Sequence, residues 1–158
     1  MALAQIKMSS KIGSLYLVAS EKGLKGIYWE KQNIANPLKS NDKSALKVAK
    51  QAQEEILEYF SGKRQKFEVP LDLEGTEFQK KVWRELVKIP YGETRSYKDI
   101  ATRLKDSQAS RAVGNANGKN PVCIIVPCHR VIAADGSLGG YSGGLDKKKT
   151  LLKVEGVL

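Results

Sequence analysis

One histidine and two cysteines occur in the 158 residues, and none of the three lies before position 123. Cys123, Cys128 and His129 are too few and too cramped for a tetrahedral zinc site, so no metal is expected. A chain of this length buries enough surface to hold a core without a disulfide or a metal. No run approaches the ~20 consecutive apolar residues of a membrane span, so no membrane association is expected. The first residues lack a basic region followed by an apolar signal segment, which makes a cytoplasmic protein with reduced thiols the expectation. Internal repeats and low-complexity tracts are also missing.

What is abundant is positive charge. The net charge is +10, from 27 Lys and Arg against 17 Asp and Glu. Residues 1–75 carry 12 basic and 9 acidic side chains, whereas residues 76–158 carry 15 and 8. A polyanion partner suits that asymmetry, because basic side chains neutralise phosphates and release counterions. A lysine-rich surface that only aids solubility would show the same balance.

The first 30 residues read as short strands of a small antiparallel sheet. Leu15, Leu17 and Ala19 alternate with Tyr16 and Val18, residues 20–23 are turn-like, and Ile27, Tyr28 and Trp29 resume β character. Residues 31–42, with Asn36-Pro37, form a polar connection. Ala45, Ala49, Ala52, Ile56 and Tyr59/Phe60 recur at helical steps, predicting a helix over about 43–61 stopped by Gly62. Extended and loop-like residues 63–75 mark the boundary, giving expected domains 1–72 and 73–158. Thr76-x-x-Gln79 fits a capping box for a second helix, with Phe78, Val82, Leu86 and Ile89 on one face and Pro90 beyond it. Trp83 and Trp29 both read as core residues.

Residues 96–104 and 109–117 read as two short helices joined by the polar turn Lys105-Asp106-Ser107-Gln108, a helix-turn-helix spacing. Recognition helices for the major groove usually carry Arg, Asn and Gln. This one presents Ala109, Ser110, Ala112, Gly114 and Ala116, whose small side chains suit close approach to a minor groove. Arg111 is then the one long side chain able to reach into the base stack. A helix packed tightly on its neighbour, with Arg111 at the solvent edge, fits the same residues.

Pro127-Cys128-His129-Arg130-Val131 joins a thiol to the lone imidazole, directly after the apolar run Val122-Cys123-Ile124-Ile125-Val126. That run reads as a buried strand ending at the pair. Neighbours on a strand point to opposite faces, so either the chain turns at Cys128 or a water bridges the two groups. An activated thiol needs a positive or hydrogen-bonding environment, and His129 needs an acceptor to fix its tautomer. Asp135, Asp146 and Glu155 are the carboxylates that follow.

The segment from Asn120 to Val131 closely resembles the active-site region of the O6-alkylguanine-DNA alkyltransferases. The match continues through Tyr141-Ser142-Gly143-Gly144-Leu145. It runs back through Arg111-Ala112-Val113-Gly114 and Tyr97 to Phe78-Gln79-x-x-Val82-Trp83. The resemblance implies an α+β fold, with a small N-terminal ribonuclease H-like sheet and helix before a mainly helical domain carrying the helix-turn-helix. It implies minor-groove binding of double-stranded DNA, extrusion of the alkylated guanine, and irreversible single transfer of its alkyl group to a cysteine. O4-alkylthymine is implied as a second lesion. No cofactor is implied, and a monomer in solution is expected.

By resemblance, Cys128 is the nucleophile, His129 its base through a bridging water, and Glu155 the carboxylate orienting His129. Tyr97 turns the nucleotide phosphate and donates a proton to the departing guanine. Asn120 is the turn residue leading into the active-site strand. Backbone groups of Cys128, Val131 and Ser142 line the guanine pocket, and Gly143-Gly144 let its loop approach closely. Arg111 fills the space left in the duplex, with Ser110, Ala112 and Gly114 on the same DNA-facing helix. Cys123 stands where family members often carry proline, serine or another small residue. It reads as a buried structural residue, with a second reactive thiol as the alternative. A lesion sensor of the alkyltransferase-like type, which binds damage without repairing it, typically replaces the nucleophile by tryptophan. A cysteine hydrolase would need turnover and an oxyanion hole, and a helix-turn-helix regulator would leave Cys128 incidental.

Overall fold

The computed structural model describes residues 2–35 and 43–158. The polar connection expected over 31–42 therefore lies outside the described residues from Asn36-Pro37 onward. Two compact units divide between Glu74 and Gly75.

The first unit opens with strands β1 (Ala4–Ser10), β2 (Gly13–Ser20) and β3 (Gly23–Tyr28), an antiparallel sheet in the order β1-β2-β3. Ile6 faces Leu17, which in turn faces Ile27. Leu15, Leu17 and Ala19 are buried and Tyr16 is half-buried, as alternation requires. Val18 breaks the pattern and is buried as well, because the register with β3 shifts between Val18 and Ala19. An irregularity of this kind re-aims side chains locally. Trp29 is half-buried rather than core, because it lies just past the last paired residue of β3.

Helix α1 (Ser44–Phe60) lays Ala45, Ala49, Ala52, Ile56 and Tyr59 onto this sheet. Small alanines at those steps let helix and strands approach closely. The chain then returns beside β3, where Leu24 donates to Pro70 O (2.8 Å) and Asp72 N donates to Leu24 O (2.9 Å). Gly23 is required there, since a Cβ would sit 2.6 Å from the Leu71 carbonyl carbon. Buried Glu55 accepts from the Glu68 and Val69 amides (2.8 and 3.1 Å), so its charge is met by backbone donors.

The second unit is mainly helical. α2 (Glu77–Val87) starts with the expected capping box at Thr76, with both reciprocal bonds to Gln79 present. Trp83 is buried and donates from Nε1 to Ala116 O (2.9 Å), tying α2 to α4 (Ser110–Gly118). α3 (Tyr97–Arg103) has its own capping box at Ser96 and packs on α4, completing the helix-turn-helix geometry. The two-residue strands β4 (Arg95–Ser96) and β5 (Val131–Ile132) pair in parallel, and α5 (Leu145–Val154) closes the unit. No helix among the described residues is long and apolar enough to cross a membrane.

Candidate active site

The apolar run before Cys128 is buried throughout but is not a strand. Pro121 and Pro127 flank it and cannot donate to a ladder. The backbone instead bonds locally, Ile125 N to Cys123 O (2.9 Å) and Val126 N to Val122 O (2.9 Å). Ile124 takes a left-handed φ of 73°, a costly conformation for a β-branched residue that its buried surroundings must hold in place. Asn120 staples the run at both ends. Its Oδ1 accepts from Val122 N (3.0 Å) and its Nδ2 donates to Val126 O (2.7 Å).

Cys128–Arg130 then form a short 3-10 helix. The turn that the sequence left open thus occurs at Cys128. His129 Nε2 lies 2.6 Å from Glu155 Oε2, which selects Glu155 among the three candidate carboxylates. An ionised Glu155 places the ring proton on Nε2 and leaves Nδ1 as an acceptor. Nδ1 is buried and has no hydrogen-bond partner among the described residues. Burial lowers the His129 pKa, opposed by its bond to Glu155, so the ring favours the neutral form able to take a proton.

Arg130 completes the cluster. Its guanidinium forks onto Glu155 from Nε (2.8 Å) and Nη2 (3.0 Å), while Nη1 donates to Ile89 O (2.6 Å). The Gly92 amide adds a further donor to Glu155 (3.2 Å). His129, Arg130 and Glu155 are all buried, so this is a desolvated charge pair with its hydrogen bonds filled.

Cys128 lies at a pocket of about 260 Å³ lined by Tyr97, Gly114, Asn117, Gly118, Cys128, Gly140, Tyr141 and Ser142. Burial pushes the Cys128 thiol up, countered by a hydrogen bond from Asn120 and the charge of Lys148. Cys123 is buried too, burial likewise raises its thiol pKa, and it is not among the residues lining that pocket, which argues for a structural residue. Tyr97, half-buried at the start of α3, has its hydroxyl pKa raised by desolvation and then by Cys128. Gly139 admits that hydroxyl. A Cβ there would lie 2.8 Å from Tyr97 Oη, and its φ is +71°.

Of the expected pocket residues, Cys128 and Ser142 line it, whereas Asn120, Val131 and Gly143 do not. The Val131 carbonyl instead accepts from Lys148 Nζ (2.7 Å). Gly139 makes a close approach of the kind expected of Gly143-Gly144, whereas a Cβ at Gly144 would meet nothing within 4 Å and Gly144 instead supplies the positive φ of +101° at the start of α5. On α4, Arg111 and Ala112 are exposed, Ser110 and Gly114 are half-buried, and Val113, Ala116 and Asn117 face inward.

A family model for the 6-O-methylguanine DNA methyltransferase DNA binding domain matches residues 77–157, and one for that family's ribonuclease-like domain matches residues 4–73. The chain belongs to the 6-O-methylguanine DNA methyltransferase family. The methylated-DNA–protein-cysteine methyltransferase of Methanosarcina barkeri is 47% identical over 148 residues, covering 94% of each chain. That of Methanosarcina acetivorans is 47% identical over 147 residues, covering 93% of this chain and 94% of its own. The crystal structure of Mycobacterium tuberculosis OGT in complex with DNA aligns with a TM-score of 0.84 at 43% identity, covering 97% of this chain and 93% of that one.

For this family member, sequence reasoning gave no role to Lys148, Arg130 or Asn117. Lys148 is buried and donates to the carbonyls of Val131, Leu138 and Gly140 (3.2 Å to Gly140), clamping the loop that forms one pocket wall. Burial pulls its pKa down to about 8. A signal existed: Lys148, Leu151, Leu152 and Glu155 share one helical face, although the flanking lysines 147 and 149 disguise it.

Proposed function

We propose that this protein repairs DNA by moving the alkyl group of O6-alkylguanine onto Cys128, once per molecule. The observation that carries the reading is a thiol at a base-sized pocket, with a neutral imidazole next in the chain locked by a buried carboxylate. The Cys128 proton passes to His129 Nδ1 through a bridging water. The sulfur attacks the alkyl carbon, a C–S bond forms, and the bond from that carbon to O6 breaks with its electron pair going to the base. Tyr97 supplies a proton to the departing guanine. Nothing is oxidised or reduced, so no cofactor is called for. The thioether cannot be hydrolysed readily, so the molecule is spent.

Duplex DNA is the partner in this reading. The small-faced helix α4 lies in the minor groove, and exposed Arg111 occupies the space vacated by the flipped base. The presence of Cys128 counts against a sensor that only binds damage. Incubated with duplex containing O6-methylguanine, the protein should gain one methyl group on Cys128 and then stop, read by intact-protein and peptide mass spectrometry. Turnover beyond one equivalent, or no adduct, rules the reading out.

The pH profile tests the base. Because His129 is held below the ordinary imidazole value of about 6.5, it stays an acceptor in mild acid. Single-turnover rates should stay level down to that region and fall only below it. A tenfold loss per pH unit throughout the neutral range would mean that bulk ionisation of the thiol, whose pKa burial raises, and not His129, sets the rate.

A further inference from the structure

Helix α2 has two faces. Val82, Trp83 and Leu86 are buried, and the Trp83 indole bonds to α4. Lys81, Arg84 and Lys88 recur at three- and four-residue steps on the opposite face, and all three are exposed. Lys88 caps the helix and pairs with Glu85 (2.9 Å). Lys81 and Arg84 have no ion pair among the described residues. Past Lys88 the row meets α3, where Lys88, Arg95 and Arg103 line one surface cleft with Glu85. Arg95 pairs with Glu93 (3.2 Å), and exposed Arg103 acts on Asp99 without pairing with it. Glu77 stands on the same face of α2, at the start of the helix.

α4 is built the same way. Val113, Ala116 and Asn117 face inward, and Arg111 and Ala112 are exposed. With their inner faces together, the outer faces of α2 and α4 point away from each other. Two stacked helices span ~20 Å, about twice the Debye length at physiological salt. Polyanions held on the two faces therefore repel each other little.

We propose that the α2 row, completed by Arg103, is a second binding surface whose partner is another segment of duplex DNA, so that one molecule bridges two duplexes. The proposal goes beyond the repair reaction and takes from the function proposed above only the placement of α4 on DNA. Cations in a line about 10 Å long fit the phosphates of one strand, which carry about one charge per 3.4 Å of axis. The row has no Asn or Gln to read base edges, so the contact is independent of sequence. A protein partner would be gripped by apolar or aromatic anchors, and the row offers Val87 alone. A molecule with both faces occupied passes from one duplex to its neighbour without entering free solution, which widens its search for lesions.

The test holds the protein on a short immobilised duplex and measures retention of a second, fluorescent duplex. Methyl transfer from O6-methylguanine in the first duplex is read in the same samples, so failure of the repair reading shows separately. The unmodified protein should retain the second duplex as a particle with one protein molecule. The combined variant Lys81→Gln, Arg84→Gln and Arg103→Gln should cut retention at least tenfold and leave the transfer rate unchanged. The slope of log affinity for the second duplex against log salt should flatten by about 2.7, the share of three phosphate contacts. No retention by the unmodified protein overturns the proposal, and so does equal retention by the variant. Retention that requires two protein molecules, read by light scattering, also overturns it. Release by polyglutamate as effective as release by DNA of equal charge would assign the row to an acidic protein instead.

Discussion

Glu155→Gln should lower unfolding stability by about 3–5 kcal/mol and leave Cys128 nearly inert toward alkylated DNA. Glu155 accepts from His129, from two nitrogens of Arg130 and from the Gly92 amide, all away from solvent. Glutamine keeps the shape but removes the charge, so the Arg130 guanidinium is left buried without a counterion. Its amide nitrogen would also face a donor where an acceptor is needed. His129 then loses the partner that keeps its proton on Nε2, and Nδ1 is no longer held as the acceptor. A urea melt and a single-turnover assay read the two effects separately. Adding Arg130→Met to Glu155→Gln should restore much of the stability, because the orphaned charge goes, while the rate stays low. Stability unchanged within ~0.5 kcal/mol, the ordinary scatter of surface substitutions, would refute the buried pair.

Lys148→Met should cut methyl transfer roughly 10- to 100-fold, corresponding to about 1–3 kcal/mol of lost charged hydrogen bonding. The ammonium holds three carbonyls, two of them on the segment running into Gly140, Tyr141 and Ser142. Methionine fills the space and offers no donor, so that wall of the pocket loses its clamp. The variant also removes the positive charge that favours the Cys128 thiolate. Lys148→Arg keeps the charge but not the three-way geometry, and separates the two contributions. A Met variant as fast as the unmodified protein would show that the loop holds itself.

The parts that the sequence makes legible are those governed by local rules. The α1 periodicity, the capping box at Thr76 and the polar turn between α3 and α4 all depend on residues within a few positions of one another. Residues 122–126 show where composition stops being informative. Five buried apolar residues are compatible with strand, helix or coil, and two flanking prolines together with Asn120 decide for a compact turn. Arg130 and Lys148 are hidden for a different reason. Burying a cation is tolerable only when distant segments supply acceptors, and Ile89, Leu138 and Glu155 lie outside any local window. Asn117 was hidden by its neighbours, since it looks like one more polar position on a helix of small residues.

The high pKa and burial of Cys128 have a consequence for how long the protein remains usable. Peroxides, disulfides and stray electrophiles react with thiolates far faster than with thiols. A molecule that can act once has no second chance if its sulfur is consumed by such a reagent. Keeping the sulfur protonated and covered until a base enters the pocket slows its loss to such reagents, and so favours the one use that each molecule has.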